Sequence, residues 1–232
     1  MALFAISDLH LSRAKQKTMD RFGAEWVGHV AKISEAWKRS VGEKDSVLLP
    51  GDLSWALKWD EFIPDLDFLA GLPGQKIISR GNHDYYWQSK TKMDRELPQG
   101  IIALERSFAS CEGYNVVAVK GWLTPGCPEY VCSSDEKYFL RERGRLEQTL
   151  AEASKEDLPI IVLMHFPAFA PAGDIGFSDI LEQYQVKLCL YGHLHGVRSE
   201  THPSGIIRGV RYQLVAADYL HFSPLRVLLK SS

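Results

Sequence analysis

Seven side chains able to hold divalent cations recur along this chain: Asp8, His10, Asp52, Asn82, His165, His193 and His195. Carboxylate, imidazole and amide oxygen form a borderline-hard donor set, suited to Mn, Fe or Zn. No thiolate accompanies them, which argues against a structural zinc site. Seven donors are too many for one ion and suit two, with a shared carboxylate between them; Asp52 is the natural bridge. Two ions roughly 3.5–4 Å apart clamp the attacking and leaving oxygens of an in-line displacement at phosphorus, the arrangement of phosphatases and nucleases.

The elements that must position these groups can be read from periodicity. Leu3–Ile6, Ser46–Leu49, Lys76–Ser79, Ile160–Met164 and Leu188–Leu190 are short apolar runs of strand type. Each runs directly into a segment carrying candidate ligands: Ser7-Asp8-Leu9-His10, Pro50-Gly51-Asp52, Arg80-Gly81-Asn82-His83-Asp84, His165-Phe166-Pro167 and Tyr191-Gly192-His193-Leu194-His195. In open α/β sheets ligands bind at the carboxyl ends of the strands, so five strands deliver one site. Asp8 and His10, like His193 and His195, are two residues apart; in extended backbone such pairs point the same way. Glycines 51, 81 and 192 permit tight turns beside the ligands.

Helical spacing of Trp26, Val30, Ile33 and Trp37 predicts a helix over about Ala24–Arg39. Phe62, Leu66 and Leu69 predict a second, ending at Gly71, with Pro64 near its first turn. Ser133 and Glu136 have the spacing of a capping box and open a helix through about Ala153. A short helix is expected near Ser178–Tyr184. Ile101–Leu104, Arg106–Ser110 and Tyr114–Val119 read as further strands, with Glu112-Gly113 as a turn. From Val197 onward the pattern is of hairpins, with turns at Pro203-Ser204-Gly205 and Ser223-Pro224. Alternating strands and helices imply sheets covered by helices, read as one mixed α/β domain over residues 1–232.

The formal net charge of −2 provides no electrostatic footprint for polyanion binding, so nucleic acid is a disfavoured partner. The four cysteines include no C-x-x-C pair and are read as reduced thiols, Cys189 in the core, with a Cys127–Cys132 pairing as the minority reading. The first residues lack the basic and long apolar regions of a signal peptide, and no apolar stretch reaches the length of a membrane span. A cytoplasmic location is the expectation.

Asp-x-His, Gly-Asp, Gly-Asn-His-Asp, a lone His and Gly-His-x-His stand in this order from Asp8 to His195. Gly-Asn-His-Asp alone arises by chance at fewer than roughly 1 in 10^5 positions. The series resembles that of the calcineurin-like metallophosphoesterase family. The resemblance implies a four-layer α/β/β/α sandwich with two mixed sheets and two divalent ions. One ion would take Asp8, His10, Asp52 and His195; the other would take Asp52, Asn82, His165 and His193. It further implies that a hydroxide between the metals attacks phosphorus, and that His83 touches a phosphoryl oxygen and protonates the leaving group. Asn82 and His83 would thus face the substrate.

One departure matters. Protein Ser/Thr phosphatases of this superfamily continue Gly-Asp with a second aspartate that orients the catalytic histidine; here Leu53-Ser54-Trp55 follows. Phosphoprotein and polynucleotide substrates become secondary readings, a non-catalytic scaffold a remote one, and a small phosphomonoester or phosphodiester, nucleotides included, the leading one. Asp84 either steadies His83 or caps a following helix. Trp55, Trp59, Tyr85, Tyr86, Trp87 and Trp122 are read chiefly as packing, with Trp122 and Tyr85 the better candidates for a pocket wall. Arg13–Lys17 reads as a solvated basic loop rather than a phosphate clamp. The irregular segment Thr124–Ser134 has the length of a binding loop. His29, His202 and His221 match no motif.

Overall fold

The computed structural model describes residues 1–15, 17–168, 176–196 and 205–228. Strands β1 (Leu3–Ala5), β2 (Ser46–Pro50), β3 (Gln75–Ser79) and β4 (Ile101–Leu104) pair in parallel. Strands β5 (Ser107–Cys111), β6 (Tyr114–Val119), β7 (Ile160–Met164), β8 (Leu188–Tyr191), β9 (Gly205–Ile207) and β10 (Val210–Leu214) form a second sheet, ordered β5-β6-β7-β8-β10-β9. The short β11 (Leu225–Arg226) returns to the first sheet, antiparallel to β1, giving the order β11-β1-β2-β3-β4. Both sheets are mixed, since β11, β5 and β9 are antiparallel edges on parallel centres.

The layering follows from the period of two along each strand. Leu3, Ala5, Leu48 and Ile77 of the first sheet meet Val116, Ala118, Ile161, Leu163, Leu188 and Leu190 of the second in a layer between the sheets. The alternate residues Phe4, Val47, Leu49 and Ile78 face helices α1 (His29–Ser40), α2 (Trp59–Ala70) and α3 (Lys90–Glu96), which contribute Ile33, Trp37, Phe62, Leu66 and Met93. Val117, Val119, Val162 and Met164 face α4 (Cys132–Ala153) and α5 (Ser178–Gln183) through Phe139, Leu146, Leu150 and Ile180. Strands buried on both faces read as continuous apolar runs, which is why Ile160–Met164 shows no alternation in sequence. The result is the α/β/β/α sandwich.

Several local expectations are corrected. The helix predicted over Ala24–Arg39 is divided: a 3-10 turn at Ala24–Trp26 precedes α1, with Gly28 in the left-handed region at φ 67° between them. Trp26 shares the apolar spacing but leaves the helix face and turns toward the site. Pro64 lies inside α2, a turn later than expected, because the helix begins at Trp59. The Ser133–Glu136 capping box does not form. Asp135 accepts the Val131 N–H at 2.8 Å instead, and α4 starts at Cys132, inside the segment read as a loop. Among the described residues the C-terminal hairpins reduce to one, β9–β10, turning at Arg208-Gly209, where both residues have positive φ. The predicted turn at Pro203-Ser204-Gly205 begins, and His202 lies, outside the described residues. All four cysteines are free thiols, and Cys189 is core. Among the described residues no helix is long and apolar enough to cross a membrane.

Candidate metal centre

The parallel strands β1, β2, β3, β7 and β8 end on one edge, and each hands its chain to a ligand-bearing turn. Past the ends of β1 and β2 the backbones stay laced together: Asp8 N–H donates to Gly51 O at 3.0 Å and His10 N–H to Asp52 O at 3.1 Å. The pairs Asp8/His10 and His193/His195 are not extended, contrary to expectation. Asp8 (φ 58°), His10 (φ 44°), Asp52 (φ 53°) and His193 (φ 71°) all occupy the left-handed region. For non-glycine residues this costs of order 1 kcal/mol each, and it aims several side chains inward from very short turns. Gly81 and Gly192 complete the approach: a Cβ at Gly81 would collide with the Asp52 carboxylate, and one at Gly192 with Ser7 and Asp8.

All seven predicted ligands meet in two adjoining groups. In the first, His10 Nε2 lies 3.1 Å from His195 Nε2, 3.9 Å from Asp8 Oδ1 and 4.0 Å from Asp52 Oδ2, while His195 Nε2 is 3.4 Å from Asp8 Oδ1. In the second, Asn82 Oδ1 lies 2.8 Å from His165 Nε2 and 3.0 Å from His193 Nδ1, and His165 Nε2 is 3.3 Å from Asp52 Oδ2. The Asp52 carboxylate oxygen is therefore common to both groups. Asp8 also stands within ligand range of Asp52 and His165.

Residues behind the ligands set their tautomers. His165 Nδ1 faces Pro50 O at 3.0 Å and His195 Nδ1 faces Asp218 Oδ1 at 3.1 Å. Those oxygens only accept, so each Nδ1 carries a proton and each Nε2 points into the cluster, the usual support of a metal-bound histidine. Asp218 also accepts the Gly196 N–H at 2.8 Å. Asp218 was not found by sequence reasoning; it sits in Ala-Ala-Asp-Tyr, 23 residues beyond His195, with no motif to mark it. Ser7 Oγ donates to Asp8. The buried Trp26 ring closes the back wall at 5.5 Å from the His195 ring.

The electrostatics describe a site short of positive charge. Burial opposes ionisation of His165, yet Asp52 overrides it and raises its pKa to about 9. Burial likewise opposes charge on His195, but Asp218 and Asp8 bring it up to about 10. Burial alone would raise Asp8 and Asp52; the two imidazolium groups instead hold both carboxyls below the usual range. At His10 and His193 burial outweighs the attraction of Asp8 and Asp52, and their pKa values fall to about 3 and about 4. Protons on Nε2 of His165 and His195 thus stand among converging oxygen and nitrogen acceptors. A divalent cation suits the same positions, and the donor set fits two of them.

His83 is half-buried at the rim. Its N–H donates to Asp52 Oδ1 at 2.8 Å, and its Nε2 lies 4.0 Å from Asp52 Oδ2. Burial lowers its pKa despite the attraction of Asp52. Asp84 neither steadies the His83 ring nor caps a helix. Fully buried, it accepts backbone N–H groups from Gly81 (2.7 Å), Asp52 (2.8 Å) and Leu53 (2.9 Å), binding the β2 and β3 turns to each other. Desolvation and the neighbouring Asp52 raise its pKa to about 6. The group beside the His83 ring is Trp55, at 4.5 Å between ring centres; Trp55 also stacks on His10 at 4.8 Å and 22°. Lys17 Nζ rests 3.1 Å from the Trp55 ring centre, while Lys15 pairs with Glu61 at 2.9 Å.

The remaining aromatics divide. Trp59, Tyr86 and Trp87 are core, and Tyr85 is exposed. Trp122 packs on Tyr138 and Phe166, with its indole N–H on Asp135 at 3.1 Å; Phe166 in turn lies 4.3 Å from the His193 ring. Of the histidines without a motif, His29 is buried against Trp26 and Phe222.

Residues 1–197 match the family described as calcineurin-like phosphoesterase, and the chain belongs to that family. The match takes in all seven candidate ligands and His83, but not Asp218. Family membership supports metal-dependent phosphoester hydrolysis. Over 78 residues the chain is 31% identical to the Gene 66 protein of Mycobacterium phage L5, covering 34% of this chain and 37% of that protein. A protein of unknown function from Aquifex aeolicus has the same fold, with a TM-score of 0.54 at 16% identity over 97% of this chain and 95% of the other. A hypothetical protein from Thermus thermophilus aligns at a TM-score of 0.48 and 14% identity, over 92% of this chain and 75% of that one.

Proposed function

We propose that the protein hydrolyses small phosphomonoesters or phosphodiesters at a binuclear centre, with Asp8, His10, Asp52 and His195 holding one divalent ion and Asp52, Asn82, His165 and His193 the other. The observation that carries this is the Asp52 carboxylate oxygen, which lies 4.0 Å from His10 Nε2 and 3.3 Å from His165 Nε2 and so faces both donor groups at once. Bound divalent ions supply Lewis-acid stabilisation of the phosphoryl oxygens and a water acidic enough to be a nucleophile near neutral pH. Mn, Fe and Zn all suit the donors.

The chain's own residues do the rest. Asn82 and His83 border the place where the phosphoryl group sits. Among the described residues His83 is the one imidazole of the cluster left outside both ligand groups, and its partial exposure lets it meet an ester oxygen. In the free protein burial keeps it neutral; the negative charge of a bound phosphoester raises its pKa and lets it carry a proton to the leaving alkoxide. Trp55 limits where that ring can go. It fills the place at which related protein phosphatases carry an orienting aspartate, which favours small substrates over phosphoproteins.

The test is turnover of p-nitrophenyl phosphate and bis-p-nitrophenyl phosphate by purified protein with Mn2+. Activity that chelation abolishes and Mn2+ restores is expected, with the better substrate separating monoesterase from diesterase. Undiminished activity in an Asp52→Asn variant would refute the bridging role.

A further inference from the structure

Between β4, α3 and the middle of α4 lies a cavity of about 520 Å³, separate from the ligand cluster. Six cationic side chains line it: Arg80, Lys90, Arg106, Lys120, Arg141 and Arg145. The carboxylates in its wall are two, Glu105 and Glu142. Lys90 is neutralised from outside the wall by Asp94 at 2.7 Å, so five cations face two carboxylates and three positive charges are in excess, in a protein whose formal net charge is −2.

Pairing within the wall is loose except between Arg145 and Glu142. Arg80 Nη1 is 3.6 Å from Glu105 and Arg106 Nη2 3.9 Å from the same carboxylate; Arg141 Nε is 3.7 Å from Glu142, which Arg145 approaches closely. Lys120 has no ion-pair partner among the described residues. The Nε–H of Arg80 is buried without an acceptor among them. Like charges held around one opening repel, and an anion entering it removes that cost while taking up the unused donors. Arginine forks are suited to phosphate oxygens, and the cavity has the volume of a small-ligand site.

The cleft adjoins the metal-ligand edge through two loops. Arg80 immediately precedes Gly81-Asn82-His83. The carbonyl of Lys120 accepts the N–H groups of His165 at 3.1 Å and Phe166 at 3.2 Å. Its wall therefore begins where the turns after β3 and β7 begin.

We propose that this cleft binds a second phosphate group of the substrate, apart from the one that reacts, so that the preferred substrates carry at least two phosphates. The role as part of a substrate site rests on the hydrolytic reading above; anion binding in the cleft is tested without metal or turnover. Tripolyphosphate is titrated by calorimetry into metal-free wild-type protein, a Lys120→Gln/Arg141→Gln variant, and Glu105→Gln. The double variant leaves Arg145 in place to pair with the buried Glu142. The expected result is one-to-one binding by the wild type, weakened roughly tenfold or more in the double variant, and strengthened in Glu105→Gln, which frees Arg80 and Arg106. A general loss of structure cannot tighten binding, so the third protein separates charge from folding. Equal affinity in wild type and double variant, or no wild-type binding at about 1 mM, overturns the proposal. Preference for a deoxythymidine oligonucleotide over tripolyphosphate also overturns it, reassigning the cleft to a polynucleotide strand. Absence of phosphoesterase activity in all three proteins would refute the hydrolytic reading while leaving the binding result legible.

Discussion

Loading the centre with metal must expel protons, and the number can be worked out from the site. At pH 7, His165 with a pKa of about 9 and His195 with a pKa of about 10 are both almost fully protonated. His10, at about 3, and His193, at about 4, are already neutral. Asp8 and Asp52, held below the usual carboxylate range, are already ionised. Only His165 and His195 must therefore give up a proton before their Nε2 lone pairs can coordinate, so the side chains release close to two protons. Apparent affinity should rise with pH by up to about 100-fold per unit between pH 7 and about 9, each displaced proton contributing a factor of ten. The sign is fixed by the raised pKa values: below them protons compete with the metal, and above them they do not. Calorimetric titration of Mn2+ in buffers of different ionisation enthalpy counts the protons directly. Ionisation of bound water adds to the count and cannot reduce it. Release of less than one proton, or an affinity unchanged between pH 7 and 8.5, would refute the assignment of His165 and His195 as imidazolium groups that a metal replaces.

Three further outcomes follow from individual contacts. His83→Ala should slow hydrolysis of an alkyl phosphate by about 10^2–10^4-fold and of p-nitrophenyl phosphate much less, because a phenolate leaves without help; equal effects on both esters would remove His83 from the proton-donor role. Asp218→Asn keeps the shape but weakens the acceptor at His195 Nδ1, and metal affinity measured by competition with a chelator should fall about 10–100-fold. Asp84→Asn replaces a carboxylate that accepts four backbone N–H groups with an amide that must turn its own donor toward at least one of them. A loss of about 2–4 kcal/mol should lower Tm by roughly 5–15 °C for a chain of this size, read by scanning calorimetry; an unchanged Tm would show that the β2 and β3 turns do not depend on this carboxylate.

The convergence of the seven candidate ligands was legible because each of them follows an apolar strand, and the hydrophobic period of a buried parallel strand survives in sequence. The two-sheet architecture followed from the family resemblance that the same motifs carry. Local geometry was less so. Trp26 shares the apolar spacing of α1, but Gly28 breaks the helix and releases the indole toward His195. The even spacing of Asp8 and His10 suggested extended backbone, whereas strain in the left-handed region is stored by surrounding contacts that periodicity does not encode. Asp84 was read by its neighbours in sequence, His83 and the residues after it; three of its four backbone partners, Asp52, Leu53 and Ser54, follow another strand, some 30 residues away.

What the sequence determined by itself, then, is chemical identity: which side chains can bind a divalent ion, their order, and the strands that present them at one edge. Composition also set the net charge of −2, and with it the expectation that polyanions are poor partners. Only the tertiary structure decided how charge is distributed. It buries Asp52 between two histidine groups, places Asp218 behind His195, rests Trp55 against His83, and gathers a surplus of positive charge around one cleft of an acidic protein. Electrostatic interactions depend on distance and burial, and neither is a property of position along the chain.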